Sequence, residues 1–188
     1  MTIESHPLTP FLPINARILF LGSFPPPKQR WSMEFFYPNF NNDFWRLMGL
    51  IHFNNKDHFV IQDKKIFDYD SIVRFANENG LAFFDTATQV CRLRDNASDE
   101  FLQIIKSTDV KELLNKIPSC RIIVTTGGKA STELKNILAL DSVPKVGESQ
   151  QITIENNWNG TWFRMPSSSR AYPMKLERKA EFYASLFK

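Results

Sequence analysis

Two stretches far apart in the chain carry the residue types from which a binding pocket can be made. The first is Gly22-Ser23-Phe24-Pro25, prolonged by Pro26 and Pro27, then Trp31, Phe35, Phe36 and Tyr37, and then Asn41, Asn42 and Asp43. Consecutive prolines lack amide donors and fix their own φ, so a rigid loop must leave the apolar run that precedes them. Aromatic faces in such number beside side-chain amides suit a planar ligand with hydrogen-bonding edges, such as a nucleobase. The second stretch is Met165-Pro166-Ser167-Ser168-Ser169, whose hydroxyls and backbone amides can hydrogen-bond a phosphate. Between the two, Asp85 ends the apolar run LAFFD, and Lys129 follows Gly127-Gly128 at the start of a helical pattern.

Each of these residues has a plainer use. Asn42 can cap the FWRLM helix, the Pro-Ser-Ser-Ser run can be a surface turn, and the aromatics can be core. The doublet Asn41-Asn42 leaves one amide for a cap and one for a pocket. Asp85 can cap the turn that follows it as readily as it can serve a ligand at the carboxyl end of a strand. Arg92 and Arg94, ahead of a helix start marked by Ser98, Asp99 and Glu100, can hold phosphates or form a surface pair. Gly127-Gly128-Lys129 is not a P-loop, because the upstream glycine is missing and Ala130 follows the lysine, but amides at that helix start can still meet a DNA phosphate. His52 and His58 have no further ligands at metal spacing and are expected to be solvated loop histidines. Cys91 and Cys120 lack CxxC spacing and are expected to be reduced packing residues. No metal or cofactor is expected.

The elements that must hold these groups alternate. Ile18–Leu21 reads as a buried strand and FWRLMGLI as a helix; residues 52–70 are irregular, and IVRFANEN is a helix stopped by Gly80. Leu81–Asp85 is the next strand. Helical spacing is predicted through FLQIIK and again through VKELLNKI to Pro118. Arg121–Thr125 is a strand, STELKNILAL a helix, and QITIEN and TWFRMP a hairpin about an Asn159-Gly160 turn. KLERKAEFYASLF closes the chain as an amphipathic helix. Residues 1–16, with three prolines and little periodicity, are expected to lie extended over the first strand and carry no chemistry. The alternation predicts an α/β fold, a three-layer α/β/α sandwich with a mainly parallel central sheet and an antiparallel addition near its end. In such a sheet both special loops leave strand ends and can meet at one rim.

A chain of 188 residues, 43% hydrophobic and 23% charged, fits a single domain spanning 1–188. Its net charge of +3 permits an acidic partner without requiring one. The first residues lack a basic start and an apolar leader, and no apolar run approaches a membrane span, so a cytoplasmic monomer with no membrane partner is expected.

Taken in order, Gly22-Ser23-Phe24-Pro25, Phe36-Tyr37, Asn42-Asp43-Phe44-Trp45, Asp85, Thr126-Gly127-Gly128-Lys129 and Met165-Pro166-Ser167-Ser168-Ser169 resemble the uracil-DNA glycosylase superfamily. The resemblance runs from Ile18 to the C-terminal helix. Two positions depart from its best-known uracil-removing members. There the third residue of the first motif is Asp, Asn or Glu, which positions the attacking water, where this chain has Phe24. The second motif there often begins with His or Asn, which stabilises the leaving base, where this chain has Met165. The sequence looks most like the hypoxanthine-DNA (deoxyinosine) glycosylase group, in which an asparagine of the N-x-F-W stretch takes the catalytic part. That position is Asn42.

The resemblance implies a monofunctional DNA glycosylase that removes hypoxanthine or uracil from damaged DNA without a cofactor. It implies a base pocket from Gly22, Ser23, Phe24, Pro25, Phe36, Tyr37 and Asp85, and DNA contacts from Lys129, Ser167, Ser168, Ser169 and Arg170. Arg170, Tyr172 or Met174 would fill the space left by a flipped base. Phe24 and Met165 keep a second class open: a module of the same fold that binds nucleic acid or a nucleobase without cleaving it.

Overall fold

The apolar run after Arg17 becomes a strand buried at every position, β2, in the middle of the molecule. The computed structural model describes residues 2–93, 101–154 and 158–188. Along the chain these form β1 (Ile3–Ser5), β2 (Ile18–Gly22), α1 (Phe44–Phe53), a short ribbon of β3 (Val60–Ile61) and β4 (Ile66–Phe67), α2 (Tyr69–Glu78), β5 (Leu81–Asp85), β6 (Ala87–Arg92) and β7 (Leu102–Ser107). Then come α3 (Val110–Lys116), β8 (Ile122–Thr126), α4 (Gly128–Ile137), β9 (Ser149–Ile154), β10 (Trp158–Met165) and α5 (Leu176–Ala184).

The main sheet has the order β5-β2-β8-β10-β9. β2 runs parallel to β5 and β8, β8 runs parallel to β10, and β9 joins the edge antiparallel to β10. Four strands therefore point the same way, and their carboxyl ends share a rim. The register sets Gly22 beside Asp85 and Met165 beside Thr126 there. Beneath the rim, Phe20 stacks on Phe83 with ring centroids 5.4 Å apart, and the fully buried Trp45 donates from Nε1 to Phe36 O at 2.9 Å. Full burial of each such side chain stabilises the fold by roughly 1.5–3 kcal/mol.

The second sheet, β1-β6-β7, is antiparallel and corrects two readings of the sequence. FLQIIK is not helical: Leu102–Ser107 is a strand along β6, with Leu102 buried and Gln103 exposed. A short apolar run fits either period, and here the antiparallel partner decides it. Of residues 1–16, the described ones lie not on β2 but beside β5 and β6. Phe11 exchanges backbone hydrogen bonds with Phe83 at 3.0 and 2.9 Å, which covers the open edge of β5.

Asn159-Gly160 is not a turn. Both residues pair within β10, opposite Thr153 and Ile152, and a Cβ on Gly160 would collide with Arg121 O and the Trp158 ring. That glycine answers a close approach rather than a reversal of the chain. His52 is not a loop residue either. It lies on α1 with its ring edge-on to Phe75 and Phe187, whereas His58 is exposed and stacks on Phe53. Arg94, Ser98, Asp99 and Glu100 lie outside the described residues. No helix among the described residues is long and apolar enough to cross a membrane.

Candidate functional site

At the rim where the parallel strands end lies a cavity of about 560 Å³, within the range of small-molecule sites. Gly22, Ser23, Phe24 and Pro25 form one wall, Phe36 and Tyr37 another, and Asn42, Asp85, Thr126 and Ser167–Ser169 face them. The two loops, more than a hundred residues apart in sequence, thus meet as the strand order requires. Lys129 and Arg170 stand outside the lining, and Tyr172 is part of it. Met165 is wholly buried at the end of β10 and does not reach the cavity.

The first loop is fixed from below. Trp31 Nε1 donates to Pro26 O at 2.7 Å. Tyr37 has a φ of 53°, an uncommon value for a residue with a side chain, and is held there by its neighbours. Its ring stacks on Phe44 at 3.9 Å and 7°, and its hydroxyl lies 3.0 Å from Thr126 Oγ1. Burial pushes the Tyr37 phenol well above its usual range, so it stays neutral.

Asn42 is not the cap of α1: that place is taken by Asp43, whose side chain makes no cap bond, and Asn42 stands one residue before it and lines the cavity. Its Oδ1 accepts from Phe44 N at 2.9 Å, while its backbone bridges to Ser169. Asn41 is exposed and accepts at Oδ1 from Arg170 Nη1 at 3.3 Å.

The second loop is clamped onto the start of α1 by α5. Lys179, fully buried, donates from Nζ to Asp43 Oδ2 and to Ser169 O, each at 2.8 Å. Asp43 N donates to Ser168 O at 2.8 Å, and Arg170 Nε approaches Asp43 Oδ1 at 3.4 Å. Tyr183 Oη donates to Pro166 O at 2.8 Å. A lysine in the closing amphipathic helix gave no sign in sequence that it would be buried, because its partner lies 136 positions away.

Asp85 does not cap the turn after it. Its Oδ2 lies 2.9 Å from Nε2 of His6, a residue that sequence reasoning passed over because its segment has no periodicity and no motif. Both side chains are largely buried, at 4% and 11% exposure for His6 and Asp85. His6 also packs against Phe24, Phe36 and Phe84. Gly22 lies close against the carboxylate, since a Cβ there would strike Asp85 Oδ1. Arg92 braces the same wall: Nε meets both oxygens of Glu4 at 3.0 and 3.2 Å, and Nη2 donates to Pro25 O at 2.7 Å.

Cys91 and Cys120 are free and buried, and burial pushes the Cys120 thiol up to about 11. Among the described residues no group of three or more His, Cys, Asp or Glu side chains is placed to share a metal ion.

The whole chain superposes on a solved structure. It is similar to the solution NMR structure of a candidate uracil DNA glycosylase from Methanosarcina acetivorans, with 21% identity over 99% of this chain and 97% of that one, at a TM-score of 0.64. The two share one fold. No protein-family model matches the sequence, and no curated protein matches it.

Proposed function

We propose that this protein is a monofunctional DNA glycosylase that swings a deaminated base, hypoxanthine or uracil, into the rim cavity and hydrolyses its N-glycosidic bond. The observation that carries this reading is the convergence in one cavity of aromatic walls (Phe24, Phe36, Tyr37), a side-chain amide (Asn42) and serine hydroxyls from the second loop. Removing a base requires that it leave the stack, be gripped at its edges and rest on apolar or aromatic faces. The fold shared with the Methanosarcina acetivorans protein, and the motif order of the sequence, support the same superfamily.

As the bond breaks, positive charge grows on the sugar and negative charge on the base. Asn42 is no strong base, but its carbonyl oxygen has two acceptor directions. One receives Phe44 N–H, which fixes the amide; the other can orient a water toward an electron-poor sugar. Ser167, Ser168 and Ser169 with Arg170 and Lys129 would hold the flanking phosphates, and Tyr172 at the mouth would fill the gap in the stack. Neither motif contains a lysine, so the product is an intact strand with an abasic site rather than a Schiff base. On this reading the chain acts as one three-layer domain, as a cytoplasmic monomer and without a cofactor.

The test is a panel of duplexes carrying uracil, hypoxanthine, xanthine or a G·T mismatch, treated with alkali after incubation. Strand cleavage at hypoxanthine or uracil is expected, with hypoxanthine favoured. Phe24, apolar at the water-positioning place of the motif, and Met165, buried away from the cavity, favour a second reading: a binding module without turnover. Retention of a lesion duplex with no release from any member of the panel would establish it.

A further inference from the structure

The pair His6–Asp85 is a largely buried polar contact at the cavity wall with no part in the steps of base removal given above. It joins the N-terminal strap to the end of β5 across 79 positions of sequence. A carboxylate only accepts hydrogen bonds, so Nε2 of His6 must carry the proton in their 2.9 Å contact. The other ring nitrogen is satisfied in either charge state of the imidazole. Nδ1 lies 3.1 Å from Leu8 N, from which it accepts when the ring is neutral, and 2.9 Å from Leu8 O, to which it donates when the ring is charged. The ring also packs against Phe24, Phe36 and Phe84, with centroids 5.2, 6.3 and 4.6 Å away, which supports it in this orientation. His6 therefore takes Oδ2 as its own acceptor, and Asp85 faces the cavity beside Gly22 as an acceptor as well.

We propose that His6 is a positioning residue that fixes Asp85 as a hydrogen-bond acceptor for a ring N–H on the edge of the bound base. The selectivity follows from the chemistry of those edges. Hypoxanthine offers N1–H and uracil offers N3–H, whereas in the same pose adenine and cytosine turn a bare ring nitrogen to the carboxylate and can pair with it only by shifting until the exocyclic amino group takes that place. A buried acceptor opposed by another acceptor loses its hydrogen bond and gains repulsion. The pair thus favours deaminated bases over adenine and cytosine. It does not separate xanthine from guanine, since both carry N1–H. The inference rests on the proposed reading only in that the cavity receives a base, not in that the base is cut out.

The test uses free bases, so that it does not depend on turnover. The melting temperature of the whole protein is followed against increasing hypoxanthine or adenine, for the wild type, His6→Gln, His6→Asn and His6→Leu. The amide nitrogen of glutamine reaches the place of Nε2, whereas that of asparagine reaches only the place of Nδ1. Wild type and His6→Gln are expected to bind hypoxanthine about tenfold or more tightly than adenine, the margin that one unsatisfied buried acceptor sets. His6→Asn and His6→Leu are expected to lose most of that ratio. Either of these two keeping the full ratio would overturn the proposal, as would a wild type that binds the two bases equally or binds neither. A wild type that discriminates as expected yet releases no base from DNA would refute the glycosylase reading and leave this one standing.

Discussion

Asn42 serves two ends at once, and the two can be separated by experiment. Its Oδ1 takes the amide of Phe44 at the start of α1, and the same side chain borders the cavity. Replacing Asn42 by Ala should lower stability by about 1 kcal/mol through the lost hydrogen bond to Phe44 N and slow base excision by a hundredfold or more, on the order of other losses of positioning. Asn41→Ala, at an exposed neighbour, should do neither. Gly22 is a second single-residue test. A Cβ there meets Asp85 Oδ1, and because His6 holds the far oxygen the carboxylate cannot simply swing away. Gly22→Ala is expected to cost roughly 1–3 kcal/mol in a melting experiment, as overpacking does, and to weaken base binding. His52 gives a pH dependence. Burial holds its imidazole below the usual range, and its buried Nε2 has no hydrogen-bond partner among the described residues. Its folded pKa is below its unfolded value of about 6.5, so the unfolded chain binds more protons as pH falls through that value. Stability from this group is complete above it and lost below it, toward the folded value. The melting temperature should drop less between pH 7.5 and 5.5 in His52→Phe than in the wild type.

Among the elements, α5 decides whether the second loop sits on α1. Lys179 ties Asp43 at the helix start to Ser169 in the loop. Lys179→Met would leave a buried carboxylate with Arg170, 3.4 Å away, as its one remaining ion-pair partner among the described residues, and is expected to cost about 3 kcal/mol in urea denaturation. Excision per folded molecule should fall too, because the loop that borders Asn42 loses its clamp. Changing Asp43 to Asn in the same chain should restore most of the stability but not the rate. How legible an element was depended on how local its signal was. α1, α2 and α4 carry helical spacing, and β2, β5 and β8 carry apolar runs bounded by breakers, so all six are legible, although α4 runs Gly128–Ile137 rather than 131–140. FLQIIK was misread because its conformation is set by pairing with β6, and Asn159-Gly160 because a glycine demanded by crowding looks the same as one demanded by a turn. Likewise the two loops of the site announce themselves by composition, whereas His6 and Lys179 join it through contacts 79 and 136 residues distant.

For the whole molecule, the polarity of one sheet explains why distant motifs form one site. Because β2, β5, β8 and β10 run in the same direction, Gly22, Asp85, Thr126 and Met165 all end at one rim, and each following loop must leave from it. The N-terminal strap closes the edge of β5 and brings His6 to that rim, and α5 closes the other side. The central claim is that this rim cavity removes a base with the help of Asn42. Single-turnover incubation of wild type and Asn42→Ala with duplexes containing one hypoxanthine or one uracil, followed by alkali, tests it most directly. Alkali-labile abasic sites are expected from the wild type, with at least about a hundredfold slower release from the folded variant; no release by the wild type from either duplex, or an undiminished rate in Asn42→Ala, would contradict a base-removing role for Asn42 and this cavity.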